Sequence, residues 1–173
     1  ARSMPAGLGW HPYFQHMPQA QLRYKASELW DSDADLLALS ARPLPAGESF
    51  VTARALREGT LTDYLSGWDG RLRLDMPGGD QIDMQTGPLL SHLVVHRPPQ
   101  GAYLCIEPVS HVSNAIQMGD PAAHGLVALA DSQRLAQVVG NLASNAVKYG
   151  AQGGVVRFVA RRIPRGVRIE IVD

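Results

Sequence analysis

Between residues 20 and 130, apolar and polar residues alternate in short runs that turn-forming residues separate. No helical period persists there beyond about two turns, so the pattern predicts antiparallel β structure. Pro77-Gly78-Gly79-Asp80 and Pro98-Pro99-Gln100-Gly101 each join two runs as hairpin turns, because glycine accepts the positive φ of tight β connections. The runs that we interpret as strands are residues 21–26, 49–56, 71–76, 81–86, 92–97 and 102–107.

The pattern changes near residue 131. Asp131 and Ser132 provide an N-cap, and apolar residues then recur at helical spacing through Lys148, which predicts one α-helix. Residues 155–161 and 166–172 alternate again about a Pro-Arg-Gly turn, which predicts a β-hairpin. The sequence therefore predicts a mainly β domain over residues 1–130, followed by one helix and a hairpin over residues 131–173.

Composition and charge narrow the possible partners. Sixteen basic residues balance sixteen acidic ones, so no long-range field favours nucleic acid or an anionic membrane. No stretch approaches the roughly 20 apolar residues of a spanning helix, and the first residues lack a signal-peptide core, so we expect a cytoplasmic protein. The single cysteine, Cys105, lies in an apolar run and is interpreted as a buried, unreactive thiol.

Three segments carry candidate chemistry: residues 9–14 (Gly-Trp-His-Pro-Tyr-Phe), residues 61–70 (Leu-Thr-Asp-Tyr-Leu-Ser-Gly-Trp-Asp-Gly) and residues 103–115, which contain Cys-Ile-Glu-Pro-Val-Ser-His. In this order and spacing they resemble bacterial aldose 1-epimerases, or mutarotases. The resemblance implies a partial antiparallel β-sandwich of the galactose-mutarotase type over residues 1–130, corresponding to the C-terminal half of that fold. It also implies that the earlier half, which would supply further sugar-binding residues, is missing.

Interconversion of α and β anomers requires an acid for the ring oxygen and a base for the anomeric hydroxyl. A histidine, with an ordinary pKa of about 6.5, and a carboxylate suit these roles. The resemblance assigns His11 as the acid and Glu107 as the base, while Asp63 would hydrogen-bond sugar hydroxyls. Trp10 or Trp68 would offer an apolar face to the sugar, although either could equally be a core residue.

The other histidines carry no prediction of a metal. His92 and His96 have the i, i+4 separation of a helical zinc site, but the apolar residues between them favour a strand. On a strand they would be about 13 Å apart, too far for one tetrahedral site. We interpret His111 as structural, and the resemblance implies no metal and no cofactor.

Residues 131–149 resemble the asparagine-box helix of the ATPase domain of sensor histidine kinases. The resemblance implies that Asn145 ligates the Mg²⁺ that bridges the nucleotide phosphates, with Asn141 and Lys148 beside them. In that family glycine-rich segments follow the strand that ends here at Asp173, and phosphoacceptor-histidine helices precede the domain. Since the sequence contains neither, we expect at most weak ATP binding and no kinase activity.

Three functions of different classes remain open from the sequence, and one of them is a working ATP site in the C-terminal segment. The first is a mutarotase-like protein that binds a monosaccharide aldose and interconverts its anomers, impaired by the missing N-terminal half. The alternative is a chimeric or truncated protein with a vestigial Mg-ATP-binding segment and no catalytic activity. A half-sandwich would leave sheet edges open, so we expect a homo-oligomer.

Overall fold

The computed structural model describes residues 4–15, 18–57, 59–99, 101, 103–129, 157–163 and 166–172. The strands in these ranges are β1 (Met4–Ala6), β2 (Tyr13–Gln15), β3 (Gln21–Tyr24), β4 (Glu28–Ser32), β5 (Ala38–Pro43), β6 (Arg54–Ala55), β7 (Leu61–Ser66), β8 (Arg71–Asp75), β9 (Gln81–Gln85), β10 (His92–Arg97), β11 (Tyr103–Val109), β12 (Val127–Leu129), β13 (Arg157–Ile163) and β14 (Gly166–Val172). Two short 3-10 helices span Ala46–Glu48 and Ala115–Gln117. The predicted mainly β fold is confirmed.

Two large sheets dominate the architecture. The six-stranded sheet has the order β2-β11-β10-β7-β4-β5, and the four-stranded sheet has the order β6-β3-β8-β9. Every neighbouring pair in both sheets is antiparallel. β1 pairs with β12, and β13 pairs with β14, as separate two-stranded sheets.

The main core lies between the two large sheets and follows from strand alternation. On β10, Leu93 and Val95 are fully buried, while Val94 between them is only partly buried. Leu22 on β3 and Leu74 on β8 belong to the same buried cluster from the other sheet. Each such side chain contributes about 1.5–3 kcal/mol by leaving water, so this inward face fixes the register of the strands.

The run over residues 49–56 was predicted as one strand, and this is wrong: only Arg54–Ala55 pairs as a strand. The reason is that Phe50 anchors a loop instead of a ladder. Its ring stacks on Tyr24 at 4.8 Å, and its carbonyl accepts a hydrogen bond from the Tyr24 backbone N–H. A buried aromatic residue thus gives a strand-like apolar signal without a strand.

The C-terminal predictions fall partly on described residues. The hairpin is confirmed, with Arg157–Ile163 paired to Gly166–Val172. Residues 155 and 156, with which the predicted first strand begins, lie outside the described residues. The predicted helix over residues 131–148 lies outside the described residues. No helix in the described part of the chain is long and apolar enough to cross a membrane.

Candidate active site

The register of two neighbouring strands brings His11 and Glu107 together. On β2, Tyr13 lies opposite Cys105 of β11, and stepping two residues back along one strand and two forward along the other sets His11 opposite Glu107. Their side chains meet, with 3.2 Å between His11 Nε2 and Glu107 Oε1. Residues 96 positions apart in sequence are therefore cross-strand neighbours.

The two partners differ in exposure, which governs their electrostatics. The His11 side chain is 51% exposed, whereas the Glu107 side chain is 16% exposed. Burial raises the pKa of Glu107 above its ordinary value, and the nearby His11 opposes that shift. A carboxylate with a raised pKa is a stronger base than a solvated one, which is useful for removing a proton near neutral pH.

Glu107 lies on the face of the six-stranded sheet that points away from the main core, and we call this the outer face. Across the sheet from Glu107 follow Val94 on β10 and Tyr64 on β7, because each pair is directly opposed. Tyr64 packs against a second small cluster that includes Ala38 and Val112. On the outer face, Val94 therefore lies between Glu107 of the acid/base pair on one side and Tyr64 on the other.

Aromatic side chains surround the acid/base pair on the outer face. The His11 ring stacks on Tyr13 with 4.7 Å between ring centroids, and Tyr13 meets the edge of Tyr103 at 5.2 Å. His96 lies 6.3 Å from Tyr103. Tyr13 is 63% exposed, which leaves an aromatic surface open to solvent beside His11.

Beneath these rings lies Cys105, which is fully buried as the sequence predicted. Burial, together with the nearby negative charge of Glu107, raises the pKa of the Cys105 thiol to about 11. The thiol is therefore neutral at physiological pH and is not a nucleophile in its own right.

Asp63, predicted to hydrogen-bond the sugar, is not brought to the pair. It lies opposite Val95 on β10, and Val95 faces the main core, so strand alternation directs Asp63 away from the outer face. The Asp63 carboxylate accepts hydrogen bonds from Arg57 at 3.1 and 3.2 Å. Burial raises the pKa of Asp63 and Arg57 partly offsets that rise, as for a structural ion pair.

The two tryptophans considered as sugar platforms pack with the core. Trp68 is only 5% exposed, and its indole N–H donates to the Arg71 carbonyl at 3.0 Å. Trp10 is partly buried against the main cluster, and its backbone N–H donates to the Pro108 carbonyl. Between the alternatives left open by the sequence, the structure favours the core.

The outer face also carries Tyr13, Thr62, Tyr64 and His96, which were not predicted as site residues from the sequence. Thr62 and His96 are directly opposed, with 2.9 Å between Thr62 Oγ1 and His96 Nδ1. Part of this set could have been found from the sequence, because residues i and i+2 of a strand point to the same face of the sheet. Applying that rule to His11 would have identified Tyr13, but Thr62 and Tyr64 also required the pairing of β7 with β10.

His92 and His96 lie on β10, on a strand as predicted. Side chains that could bind a metal meet instead at the His11–Glu107 pair. Within the described residues, one group of three could hold an ion: His11, Cys105 and Glu107, whose ligand atoms all lie within 4.8 Å of one another.

The nucleotide-site residues cannot be placed in the same way. Asn141, Asn145 and Lys148 lie outside the described residues, so the ATP-site hypothesis stays a prediction.

A cleft of about 620 Å³ lies elsewhere, against the four-stranded sheet. Charged side chains of β3, β8 and β9 line it, and one pair, Arg73 and Asp83, is joined by two hydrogen bonds of 2.8 Å. Such partly exposed ion pairs are typical of a solvated sheet face. We therefore assign the candidate chemistry to the outer face, where an acid and a base meet.

Comparison with known proteins supports the same fold. No family model matches the chain. The sequence is 28% identical over 142 residues to the uncharacterized protein YphB of Escherichia coli (strain K12), spanning 77% of this chain and 48% of that protein.

Two crystal structures extend the likeness. One is of an Escherichia coli K12 protein named "Putative aldose 1-epimerase", with a TM-score of 0.65 and 29% identity, covering 73% of this chain and 46% of that one. The other is of a galactose mutarotase-like protein from Clostridium acetobutylicum, with a TM-score of 0.58 and 14% identity, covering 73% and 44%. The chain spans less than half the length of these relatives, and none of the three is named as a histidine kinase. The chain therefore adopts the antiparallel β-sandwich fold of galactose mutarotase-like proteins.

Proposed function

We propose that this chain carries the acid/base pair of an aldose 1-epimerase-like protein, and that His11 and Glu107 interconvert the α and β anomers of an aldose. The observation that carries the proposal is the 3.2 Å contact between His11 Nε2 and Glu107 Oε1 on the outer face. The likeness to a protein named as an aldose 1-epimerase supports the same reaction class.

The reaction starts from protonated His11 beside ionised Glu107. The His11 Nε2–H donates its proton to the ring oxygen, while a Glu107 carboxylate oxygen accepts the proton of the anomeric hydroxyl. The bond from C1 to the ring oxygen breaks and a C1 aldehyde forms. After rotation about C1–C2, both transfers reverse, the ring closes on either face, and both side chains recover their starting protonation states.

The geometry of the pair suits this pattern of proton transfer. The ring oxygen and the anomeric oxygen are bonded to the same carbon, so an acid and a base that serve them must lie close together. In the free protein His11 and Glu107 contact each other, and this contact breaks when His11 turns toward the ring oxygen of a sugar that lies beside Glu107. His11 is half-exposed and precedes β2, so its side chain can move, whereas β11 holds Glu107 between two neighbouring strands.

The pyranose ring lies over Val94 in this proposal. Glu107 and Tyr64 border Val94 from two strands that are two spacings apart, roughly 10 Å, which is the width of a single sugar ring with its hydroxyls. Tyr13 supplies the exposed aromatic surface for the C–H side of the sugar. The chain spans less than half the length of these relatives, and the proposal covers the class of reaction and not one particular aldose.

Polarimetry of freshly dissolved α-glucose and α-galactose tests the proposal. The protein should accelerate mutarotation over buffer, and Glu107→Gln should reduce that acceleration by at least about a hundredfold, the usual contribution of a general base. Glu48→Gln is the matched control, because Glu48 ends a short 3-10 helix and contacts only Arg42 and Arg57 among the ion pairs of the described residues. Wild-type rates equal to buffer, or full activity in Glu107→Gln, would rule out the proposal.

A further inference from the structure

The acid/base pair has a third neighbour that sugar chemistry does not use, the buried thiol of Cys105. We propose that His11, Cys105 and Glu107 form a binding site for a soft divalent cation of the Zn²⁺ class, and that the bound metal blocks the sugar site. The blocking role rests on the proposed mutarotase function, whereas the metal site itself does not.

The geometry of the three side chains fits a tetrahedral ion. With Zn–N and Zn–O of about 2.1 Å and Zn–S of about 2.3 Å, tetrahedral ligand atoms lie about 3.4 to 3.6 Å apart. His11 Nε2 and Glu107 Oε1 are already 3.2 Å apart, and the largest separation in the trio is within 4.8 Å. The widest separation therefore involves Cys105 Sγ, and closing the set needs a contraction of at most about 1.4 Å at that atom.

The donor set also selects the class of metal. One imidazole nitrogen, one thiol sulfur and one carboxylate oxygen suit Zn²⁺ or Co²⁺, whereas Mg²⁺ and Ca²⁺ prefer sets made only of oxygen. The exposed side of His11 leaves the fourth position open to solvent, as at sites that bind an exchangeable water.

Metal and sugar compete for the same atoms. A cation held by His11 Nε2 and Glu107 Oε1 occupies the nitrogen lone pair that must carry the donated proton and the carboxylate lone pair that must accept one. Mutarotation should therefore stop when the site is loaded and return when a chelator removes the ion. The sequence contains a single cysteine, so any metal–thiolate signal has one source.

The test uses the full chain titrated with Co²⁺, followed by displacement with Zn²⁺. Binding should produce the near-ultraviolet charge-transfer absorption of a cobalt–thiolate bond, and Zn²⁺ should abolish it. Cys105→Ala should remove the absorption and weaken Zn²⁺ binding by at least about tenfold, while leaving mutarotation intact but no longer sensitive to Zn²⁺. Because Cys105 is buried, His11→Gln at the exposed side provides a second variant that should also weaken Zn²⁺ binding.

The outcomes separate the two proposals. Absence of the cobalt–thiolate absorption at millimolar Co²⁺, or unchanged Zn²⁺ affinity in both variants, overturns the metal site. If the absorption appears but the wild-type protein does not accelerate mutarotation, the metal site stands and the proposed function fails. If Zn²⁺ binds through Cys105 while mutarotation continues undiminished, the blocking role is overturned.

Discussion

Two adjacent residues of β7 offer a direct test of how the outer face is built. Thr62 lies opposite His96 and shares the outer face, whereas Asp63 lies opposite Val95 and points toward the core. The family resemblance implied a sugar contact for Asp63. Strand alternation instead sets Thr62 on the outer face, where the proposed function places the sugar. We therefore expect Thr62→Val to impair mutarotation and Asp63→Asn to leave it nearly unchanged.

The expected magnitudes follow from the contacts that each change removes. Thr62→Val keeps the shape of the side chain but removes the 2.9 Å contact to His96 Nδ1, a hydrogen bond with a net value of about 0.5–1.5 kcal/mol. If His96 contacts the sugar, that loss corresponds to about a two- to tenfold drop in kcat/KM, carried mainly by KM.

Asp63→Asn removes an ion pair and its desolvation cost together. Arg57 is half-exposed and keeps its water, so the free energy of unfolding should change by no more than about 1 kcal/mol after allowing for solvent screening. The folded-state pKa of Asp63 is raised, so its stabilising contribution is complete below pH 3.8 and is lost as the pH rises through the folded value. The stability of wild type relative to Asp63→Asn should decline over that window.

Polarimetry across a range of sugar concentrations measures the first effect, and urea unfolding at several pH values measures the second. The reasoning is refuted if Asp63→Asn loses more than tenfold in kcat/KM with unchanged stability while Thr62→Val is indistinguishable from wild type. That result would mean that β7 is displaced by one residue, since such a displacement exchanges the two faces.

Three further predictions concern the same face and the core beneath it. Tyr13→Ala should raise KM several-fold and change the free energy of unfolding by no more than about 0.5 kcal/mol, because the side chain is mostly exposed. Mutarotation should fall as the pH drops through a value above 4.5, since Glu107 must be ionised and its pKa is raised; in His11→Gln, NMR should find the Glu107 pKa raised further. Leu93→Ala should cost about 2–5 kcal/mol in urea unfolding, against about 0.5 kcal/mol for the exposed Leu39→Ala.

The strands that could be predicted from the sequence are those in which apolar and polar residues alternate clearly. β8, β9 and β10 lie within one residue of the predicted runs, because their apolar residues face one core and turns bound them. β4 and β5 were not predicted, since their few apolar residues alternate only weakly. They are strands because β7 provides a template for β4, which in turn pairs with β5. Such tertiary pairing is not visible in local sequence patterns.

The candidate site divides in a similar way. His11 and Glu107 were identified from motif context, and the structure sets their side chains 3.2 Å apart. The assignments that depended on which side of the sheet a side chain points to were less reliable. A motif gives the position of a residue along the chain but not the face to which its side chain points. Asp63 and Trp68 lie near the right strands and still turn inward.

The position of the acid/base pair depends on the core more than on the pair itself. Glu107 lies between Ile106 and Pro108, which are buried on the inward face of β11, so a one-residue shift of that strand would bury the carboxylate. His11 follows the same register through the pairing of Tyr13 with Cys105. Because both members come from neighbouring strands of one sheet, the contact between His11 and Glu107 is set by this chain's own core.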